Sequence, residues 1–254
     1  MSKKLGLEKE MPKKEKSKYR SACASCDLPV FKRICVTPKG KGIGGCPSLT
    51  RKAVLKQANK LYEDKEVRHF AHMASVQEAA GYANRDQTPY IMQPSKTRIV
   101  EICEFAGRME YKRLGLAFCL GLSREAMVVE EVFKVYGFEV VSVGCKAGRT
   151  SKDLIDITDD EKVFKGSDES MCNPIFQAKL LDAEGVDFNV LLGLCVGHDT
   201  LFLQYSETPA TVLAVKDRVT GHNPLAAVYQ SESYYKKIRF PEVVSPQTAA
   251  SKKE

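Results

Sequence analysis

The segment 193–202, GLCVGHDTLF, places three chemically active side chains at one predicted turn. The apolar run 188–194 overlaps its start and predicts a buried strand. Cys195 follows this strand, and His198 and Asp199 open a short stretch with helical spacing of apolar residues. A strand-to-helix turn of this kind is where open α/β sheets bind ligands. Cys195 is therefore a candidate nucleophile, and His198 is a candidate base.

Other thiols and imidazoles fall at the same predicted edge. Cys119 closes one predicted strand, Cys145 follows a second, and Cys172 and His222 each precede an Asn-Pro pair that predicts a helix start. A single cysteine at a strand end is usually a small packing residue, so the prediction depends on the whole set. Thiolates and imidazoles bind transition metals. The sequence predicts a metal site at this edge, with candidate ligands Cys119, Cys145, Cys172, Cys195, His198 and His222.

Polar residues beside these positions are candidates for binding a cofactor or an anionic substrate. Asn173 and Asn223 open predicted helices, whose N-termini carry partial positive charge and free backbone amides. The same partial charge stabilises thiolates, so we expect depressed pKa values and higher reactivity at Cys172 and Cys195. Asp217 and Arg218 follow the fourth predicted strand. They form either a charged clamp for an anionic ligand or an ordinary solvated ion pair, and the sequence leaves both interpretations open.

Four cysteines near the N-terminus form a second candidate metal site. They are spaced C-x2-C-x8-C-x10-C, at Cys23, Cys26, Cys35 and Cys46. The glycine-rich run 40–45 can wrap backbone amides closely around a compact charged group. Four thiolates suit a Zn²⁺ ion and an iron–sulfur cluster equally well. A segment so rich in Gly and Lys has no core in which to bury thiols, so we expect one metal centre here.

The alternation of strands and helices predicts the fold class. Short apolar strands separated by helices are typical of an α/β fold, here a Rossmann-like open parallel sheet of about four strands with helices on both faces. Right-handed crossovers place the carboxyl ends of all strands on one edge. The predicted strands are 114–118, 138–143, 188–194 and 211–215.

The chain divides by composition into four predicted segments. These are a disordered basic tail at 1–20, a Cys-rich metal-binding knuckle with a helical segment at 21–90, the α/β domain at 95–240, and a disordered tail at 241–254. Ser48 or Thr50 is predicted to cap the first helical stretch, and Ser95 the helix that opens the α/β domain. The helix predicted at 124–136 has an apolar face that is expected to turn inward, formed by Val128, Val132 and Val135.

Charge and hydropathy exclude several classes of function. The formal net charge is +7, but the first 20 residues hold eight Lys or Arg against three Glu. The basic excess therefore belongs to a tail, which argues against a nucleic-acid-binding face. No apolar run is long enough for a membrane span, and the N-terminus lacks the apolar core of a signal peptide. We therefore expect a cytoplasmic protein without membrane contact, in which nine cysteines favour metal binding or thiol chemistry over disulfides.

Four short motifs that contain these residues resemble those of a known protein family. They are FCLGL at 118–122, MCNPI at 171–175, GLCVGHD at 193–199 and VKDRVTGHNPLAA at 215–227. They resemble an uncharacterised family of prokaryotic metal-binding proteins, domain-of-unknown-function family 1847. The resemblance covers about residues 21–237, including the N-terminal cysteines and the closing Cys46-Pro47 pair. It implies metal binding and supplies no reaction.

Three functions remain open from the sequence. The first is a redox protein or metalloenzyme with an N-terminal iron–sulfur cluster and a second metal, cluster or set of reactive thiols at the sheet edge. The second is a zinc-stabilised module that binds or senses a metal or small ligand without catalysis. The third is a metal-independent thiol enzyme with Cys195 as nucleophile and His198 or His222 as base. A small-molecule substrate or a redox partner is implied in each case, and the nucleotide-binding and hydrolase motifs G-x-G-x-x-G and G-x-S-x-G do not occur.

Overall fold

The computed structural model describes residues 20–240. The two tails predicted to be disordered, 1–20 and 241–254, lie outside this range apart from Arg20. Contacts between residues divide the chain into two compact units, with the boundary between Ser95 and Lys96.

The first unit contains three helices after the cysteine-rich loop: α1 (Pro47–Thr50), α2 (Lys52–Leu61) and α3 (Lys65–Ala80). The predicted caps Ser48 and Thr50 lie inside α1, so that prediction was wrong. The side-chain cap is Asp64, whose carboxylate accepts the backbone N–H groups of the first turn of α3. Residues 81–97 contain no helix, so the helical part of the predicted segment 21–90 ends at Ala80.

The second unit is built on a parallel sheet of four strands in the order β2-β1-β3-β4. The strands are β1 (Arg113–Phe118), β2 (Glu139–Gly144), β3 (Phe188–Leu194) and β4 (Ala210–Val215). The order reverses at β1, because the chain moves to β2 on one side and returns to β3 on the other. The predicted α/β class and the parallel sheet are confirmed, and the reversal marks the crevice where such sheets bind ligands.

Helices cover both faces of this sheet, as predicted. One apolar core lies under α4 (Arg98–Arg108) and α5 (Ser123–Val135), and the other lies under α6 (Pro174–Ala183) and α7 (His198–Tyr205). β3 is buried along its whole length because both cores pack against it. A short final helix, α8 (Leu225–Tyr229), follows β4. Among residues 20–240, no helix has the length and apolar composition needed to cross a membrane.

The inward face of α5 differs from the prediction. Val128 and Val135 are mostly exposed, and the buried residues are Ala126, Val129 and Phe133. The prediction grouped the valines by spacing alone. The large Phe133 ring, fully buried, instead fixes the rotation of the helix and turns Val128 to solvent.

Two other predicted helix starts are also shifted. α4 begins at Arg98 after Thr97, and the hydroxyl of Ser95 instead donates to the Gly81 carbonyl. The Asn173-Pro174 start is confirmed, because the Asn173 side chain accepts the Phe176 N–H. At the second Asn-Pro pair the flanking residue of α8 is Pro224, without a side-chain cap.

The corrected orientation of α5 can be tested with two neighbouring valines. Val129→Ala removes two buried methyl groups and is expected to lower the free energy of unfolding by about 2 kcal/mol. Val128→Ala changes an exposed side chain and should alter it by less than about 0.5 kcal/mol. Urea denaturation of the full chain measures both. Equal losses, or a larger loss for Val128→Ala, would contradict this packing.

Candidate functional site

β1 and β2 end at the same level, and this places two cysteines side by side. Phe118 pairs with Gly144, so Cys119 and Cys145 follow in register on neighbouring strands. The two thiols interact, which raises the pKa of Cys119, and the Leu120 N–H donates to Cys145 Sγ at 3.4 Å. The register of the sheet therefore brings the first two thiols together.

A backbone hydrogen bond brings a third thiol to this pair. The Asn173 N–H donates to the Cys145 carbonyl at 2.7 Å, and Cys172 Sγ lies 3.6 Å from Cys145 Sγ. Cys145 and Cys172 stand at the two ends of the long loop 146–171, which leaves the sheet and returns to it. Three thiols from three separate segments thus meet, with Cys145 between the other two.

Cys195 lies further along the strand direction than the other thiols. Phe118 pairs with Leu192, and β3 then continues through Gly193, whose φ of +66° accompanies an irregularity in the strand pairing. Cys195 is electrostatically coupled to Cys172. The side chain that donates to it is Arg218, with Nη2 3.2 Å from its Sγ. We refer to Cys119, Cys145, Cys172 and Cys195 as the sheet-edge cysteines.

Cationic side chains accompany the sheet-edge cysteines. Lys216, the residue after β4, acts on Cys119, and Lys146 acts on Cys172, and each charge favours the thiolate form of its neighbour. A Cβ on Gly121 would lie 3.5 Å from Lys216 Nζ and 3.8 Å from Cys119 Sγ, so the ammonium group and the thiol lie beside the same turn. With Arg218 on Cys195, each end of the thiol cluster faces a positive charge, which suits an anionic metal–thiolate centre.

A buried glutamine holds the cysteine-bearing loops together. Gln177 on α6 is fully buried, and its amide donates to the Phe118 carbonyl at 3.2 Å and to the Val143 carbonyl at 2.8 Å. These carbonyls precede Cys119 and Cys145. Gln177 is not among the site residues predicted from the sequence. The pattern that could have identified it is a polar residue on the apolar face of a helix that begins just after a candidate ligand.

The contacts between the thiols give them different pKa values. The hydrogen bond with Cys145 lowers the pKa of the Cys172 thiol to about 7, despite its partial burial. The bond to Cys145 and burial raise the pKa of Cys119 to about 12. For Cys145 the bond from Cys119 lowers the pKa, but the bond to Cys172 and burial outweigh it, so the pKa is raised. In metal-free protein Cys172 is therefore the first of these three to ionise.

Cys103 shows what a packing cysteine looks like in this chain. It lies on the apolar face of α4 and is 1% exposed. Burial raises the pKa of the Cys103 thiol to about 11. Cys119, Cys172 and Cys195 are instead partly exposed and have polar or charged neighbours. These three cysteines therefore differ from an ordinary core thiol, whereas Cys145 is buried and differs by its contact with another thiol.

The candidate polar residues at helix starts have mainly structural contacts. His198 is the first residue of α7, and its backbone N–H donates to the Cys195 carbonyl at 3.0 Å. Asn173 caps α6 and its amide also approaches the Thr150 hydroxyl at 3.4 Å. Asn223 is exposed in the turn before α8. His198 and Asn173 are thus close in sequence to Cys195 and Cys172, and their contacts are structural. Their ligand-binding roles stay predictions.

Asp217 and His222 stabilise the loop after β4. The Asp217 carboxylate accepts the N–H groups of Val219 and Thr220 at 3.0 Å each, and these backbone bonds lower its pKa. His222 Nδ1 accepts the Asp217 N–H at 3.1 Å. This loop carries Arg218 to Cys195. Of the predicted clamp, Arg218 contacts a candidate ligand and Asp217 shapes the turn that presents it.

The N-terminal cysteines lie in a loop closed by backbone hydrogen bonds. The Ala22 N–H donates to Gly45 O at 3.1 Å, which brings the chain beside Cys23 close to the chain beside Cys46. The Arg33 guanidinium donates to the carbonyls of Leu28 and Cys26, and a bridge joins Arg33 to Lys41. Cys23 and Cys35 are exposed, and Cys26 and Cys46 are half-buried. The four thiols thus lie on a compact, cation-bearing loop.

Neither cysteine group is already arranged around one point. In the part of the chain from Arg20 to Phe240, no three His, Cys, Asp or Glu side chains are placed as metal ligands. At the sheet edge Cys145 interacts with Cys119 and with Cys172, and Cys195 makes no direct contact with these three thiols in the described residues. Metal binding at both groups therefore stays a prediction.

Comparisons with known proteins identify relatives of this chain. The model of a family described as "Protein of unknown function (DUF1847)" matches residues 46–213, which include Cys46 and all four sheet-edge cysteines. The uncharacterized protein MJ0455 of Methanocaldococcus jannaschii is 37% identical over 216 residues, 85% of this chain and 97% of that protein. Cys23, Cys26 and Cys35 lie outside the matched family segment.

The different pKa values of Cys172 and Cys103 predict an order of thiol reactivity. In metal-free protein at pH 7, about half of Cys172 is thiolate, whereas Cys103 is almost entirely protonated, so Cys172 should alkylate at least about tenfold faster. Because the pKa of Cys172 is lowered to about 7, its rate should fall about fivefold between pH 7 and pH 6 and level off above pH 8. Mass-spectrometric mapping of iodoacetamide labelling measures both rates. Equal rates for the two cysteines would contradict the assigned environments.

The role of Gln177 can be tested with an uncharged substitution of similar length. Gln177→Met removes the amide that bonds the Phe118 and Val143 carbonyls, so we expect stability to fall by about 1–3 kcal/mol. The loosened loops should also increase alkylation of the buried Cys145 several-fold. Gln204→Met, at an exposed position on α7, is the matched control and should change neither quantity. Unchanged Cys145 labelling in Gln177→Met would show that the glutamine does not position the thiols.

Proposed function

The chain belongs to the DUF1847 family of proteins of unknown function, and we propose that it is a metal-binding protein whose sheet-edge cysteines hold a zinc ion or an iron–sulfur cluster. The observation that supports this proposal best is the contact of three thiols from three separate segments, centred on Cys145. Cys103 fills space in the apolar core as a single thiol, so packing does not explain why three thiols lie together at the sheet edge.

The donor set fits a thiophilic metal. Thiolates bind Zn²⁺ and iron–sulfur clusters, and a tetrahedral metal with bonds of about 2.3 Å separates its sulfurs by roughly 3.8 Å. The 3.6 Å between the sulfurs of Cys145 and Cys172 is close to that separation. Cys119 extends the contact on one side, and Cys195 would approach from the partly exposed end of β3.

The surrounding charges suit the same proposal. Four thiolates on a divalent ion carry a net negative charge, and an iron–sulfur cluster with four thiolates is also anionic. Lys216 beside Cys119, Lys146 beside Cys172 and Arg218 on Cys195 would offset that charge. Hydrogen bonds from such groups also tune the reduction potential of a cluster.

The proposal assigns distinct roles to the chain and to the bound group. The sheet register and Gln177 would hold Cys119 and Cys145 in place, while the loop 146–171 would present Cys172. A bound cluster would carry an electron for a redox partner, whereas zinc would fix the thiols without redox chemistry. We extend the proposal to Cys23, Cys26, Cys35 and Cys46 as a second centre of the same two kinds.

Metal content tests the proposal directly. Full-length protein purified without oxygen should contain zinc, or iron with acid-labile sulfide. A variant with all four N-terminal cysteines changed to serine isolates the sheet-edge site, and it should retain about one centre per chain. Adding Cys145→Ser to that variant should reduce the metal content at least about tenfold, because the central ligand is lost.

Cys103→Ala in the same background is the matched control, since Cys103 lies in the core of α4 away from the thiol cluster. It should retain the full metal content. A background variant that folds by circular dichroism but binds neither zinc nor iron would overturn the proposed sheet-edge centre. Equal metal content with and without Cys145 would do the same.

A further inference from the structure

We propose that Cys145 and Cys172 form a reversible dithiol–disulfide couple that reacts with low-molecular-weight disulfides. The proposal rests on the contact between the two sulfurs, 3.6 Å apart, and on the loop geometry that holds the two residues together. A disulfide needs neighbouring backbones as well as neighbouring sulfurs. The bond from the Asn173 N–H to the Cys145 carbonyl, at 2.7 Å, supplies that proximity.

The loop between the two cysteines keeps its ends together independently of the thiols. The Met171 N–H donates to Thr150 O at 2.8 Å, and an isolated bridge joins Ser151 to Ser170. Further along, Lys152 and Glu169 form an ion pair at 3.0 Å in which both side chains are largely shielded from solvent. These links join the two sides of the loop without involving either thiol, so we expect the disulfide to form by movement of the side chains alone.

Exposure assigns different roles to the two thiols. Cys172 is partly exposed, whereas Cys145 is 4% exposed. A dissolved disulfide can therefore reach Cys172 first, and Cys145 is placed to resolve the mixed disulfide. Cys119 also interacts with Cys145, so a link between Cys145 and Cys119 is the competing product that the test must distinguish.

The reaction balances without any group beyond the dissolved disulfide. The Cys172 thiolate attacks one sulfur of the disulfide RSSR, forms a mixed disulfide and releases one RS⁻. Cys145 then attacks Cys172 Sγ, loses its proton and releases the second RS⁻. Two electrons and two protons pass from the protein dithiol to RSSR, which leaves as two RSH molecules. A small dithiol reverses the reaction.

This couple would also regulate the metal site, and that consequence rests on the proposed function. Metal binding requires both thiolates, so the disulfide form would lack two of four ligands and would release the metal. The disulfide itself does not depend on any metal being bound. The two claims can therefore fail separately.

Peptide mapping of metal-free, full-length protein tests the couple. The protein is treated with oxidised glutathione and then digested with trypsin, which cuts after Lys134, Lys146, Lys165 and Lys179 and separates the two cysteines. We expect peptides 135–146 and 166–179 to be joined by a disulfide, and dithiothreitol to separate them. No joined peptides, or a link from Cys145 to Cys119 instead, would overturn the proposal.

Single variants test the order of attack. Cys145→Ser lacks the resolving thiol, so glutathione should remain on Cys172, several-fold more than in the unaltered chain. Cys172→Ser should leave the buried Cys145 without glutathione. Cys103→Ala is the control and should form the same link as the unaltered chain. Glutathione on Cys145 in Cys172→Ser, with none on Cys172 in Cys145→Ser, would contradict the assigned roles.

Metal release is measured in the variant without the four N-terminal cysteines. Oxidation should remove at least about nine-tenths of its bound metal, and reduction should restore binding. Joined peptides with unchanged metal content would refute the regulation while leaving the couple intact. A variant that never binds metal would refute the proposed function, whereas the peptide link would still decide the couple.

Discussion

The site depends on one constraint of the sheet, the common level at which β1 and β2 end. The pairing of Phe118 with Gly144 sets Cys119 beside Cys145, and no loop conformation is needed for this contact. Gln177 then fixes that edge from the side of α6. A slip of one residue between the strands would move one thiol to another level and turn its side chain to the opposite face. The register is therefore the first condition for any chemistry here.

Two loops bring further groups to this pair of thiols. The loop 146–171 returns to the sheet at Cys172, and the turn after β4 carries Arg218 to Cys195. Both additions come from segments that are more exposed than the strands. Thiols brought together in this way can bind a metal as thiolates, and the pair Cys145 and Cys172 can instead form a disulfide.

The fold was largely predictable from the sequence, because buried parallel strands leave continuous apolar runs and Asn-Pro pairs mark helix starts. The position of the cysteines at strand ends could be predicted for the same reason. The rotation of α5 could not, since the volume of Phe133 decides it and periodicity does not record volume. Gln177 was missed because its partners are backbone carbonyls, which no side-chain motif reveals. The displacement of Cys195 follows from the pairing of Phe118 with Leu192, because β3 runs two residues beyond that pair, and an apolar run does not reveal this register.

The central claim is that the sheet-edge thiols ligate a metal, and X-ray absorption at the metal edge tests it most directly. The protein should be the full chain with the four N-terminal cysteines changed to serine, loaded without oxygen. The account predicts that sulfur dominates the first coordination shell, at about 2.3 Å, and that at least three sulfurs contribute. A shell made only of oxygen and nitrogen atoms would contradict it.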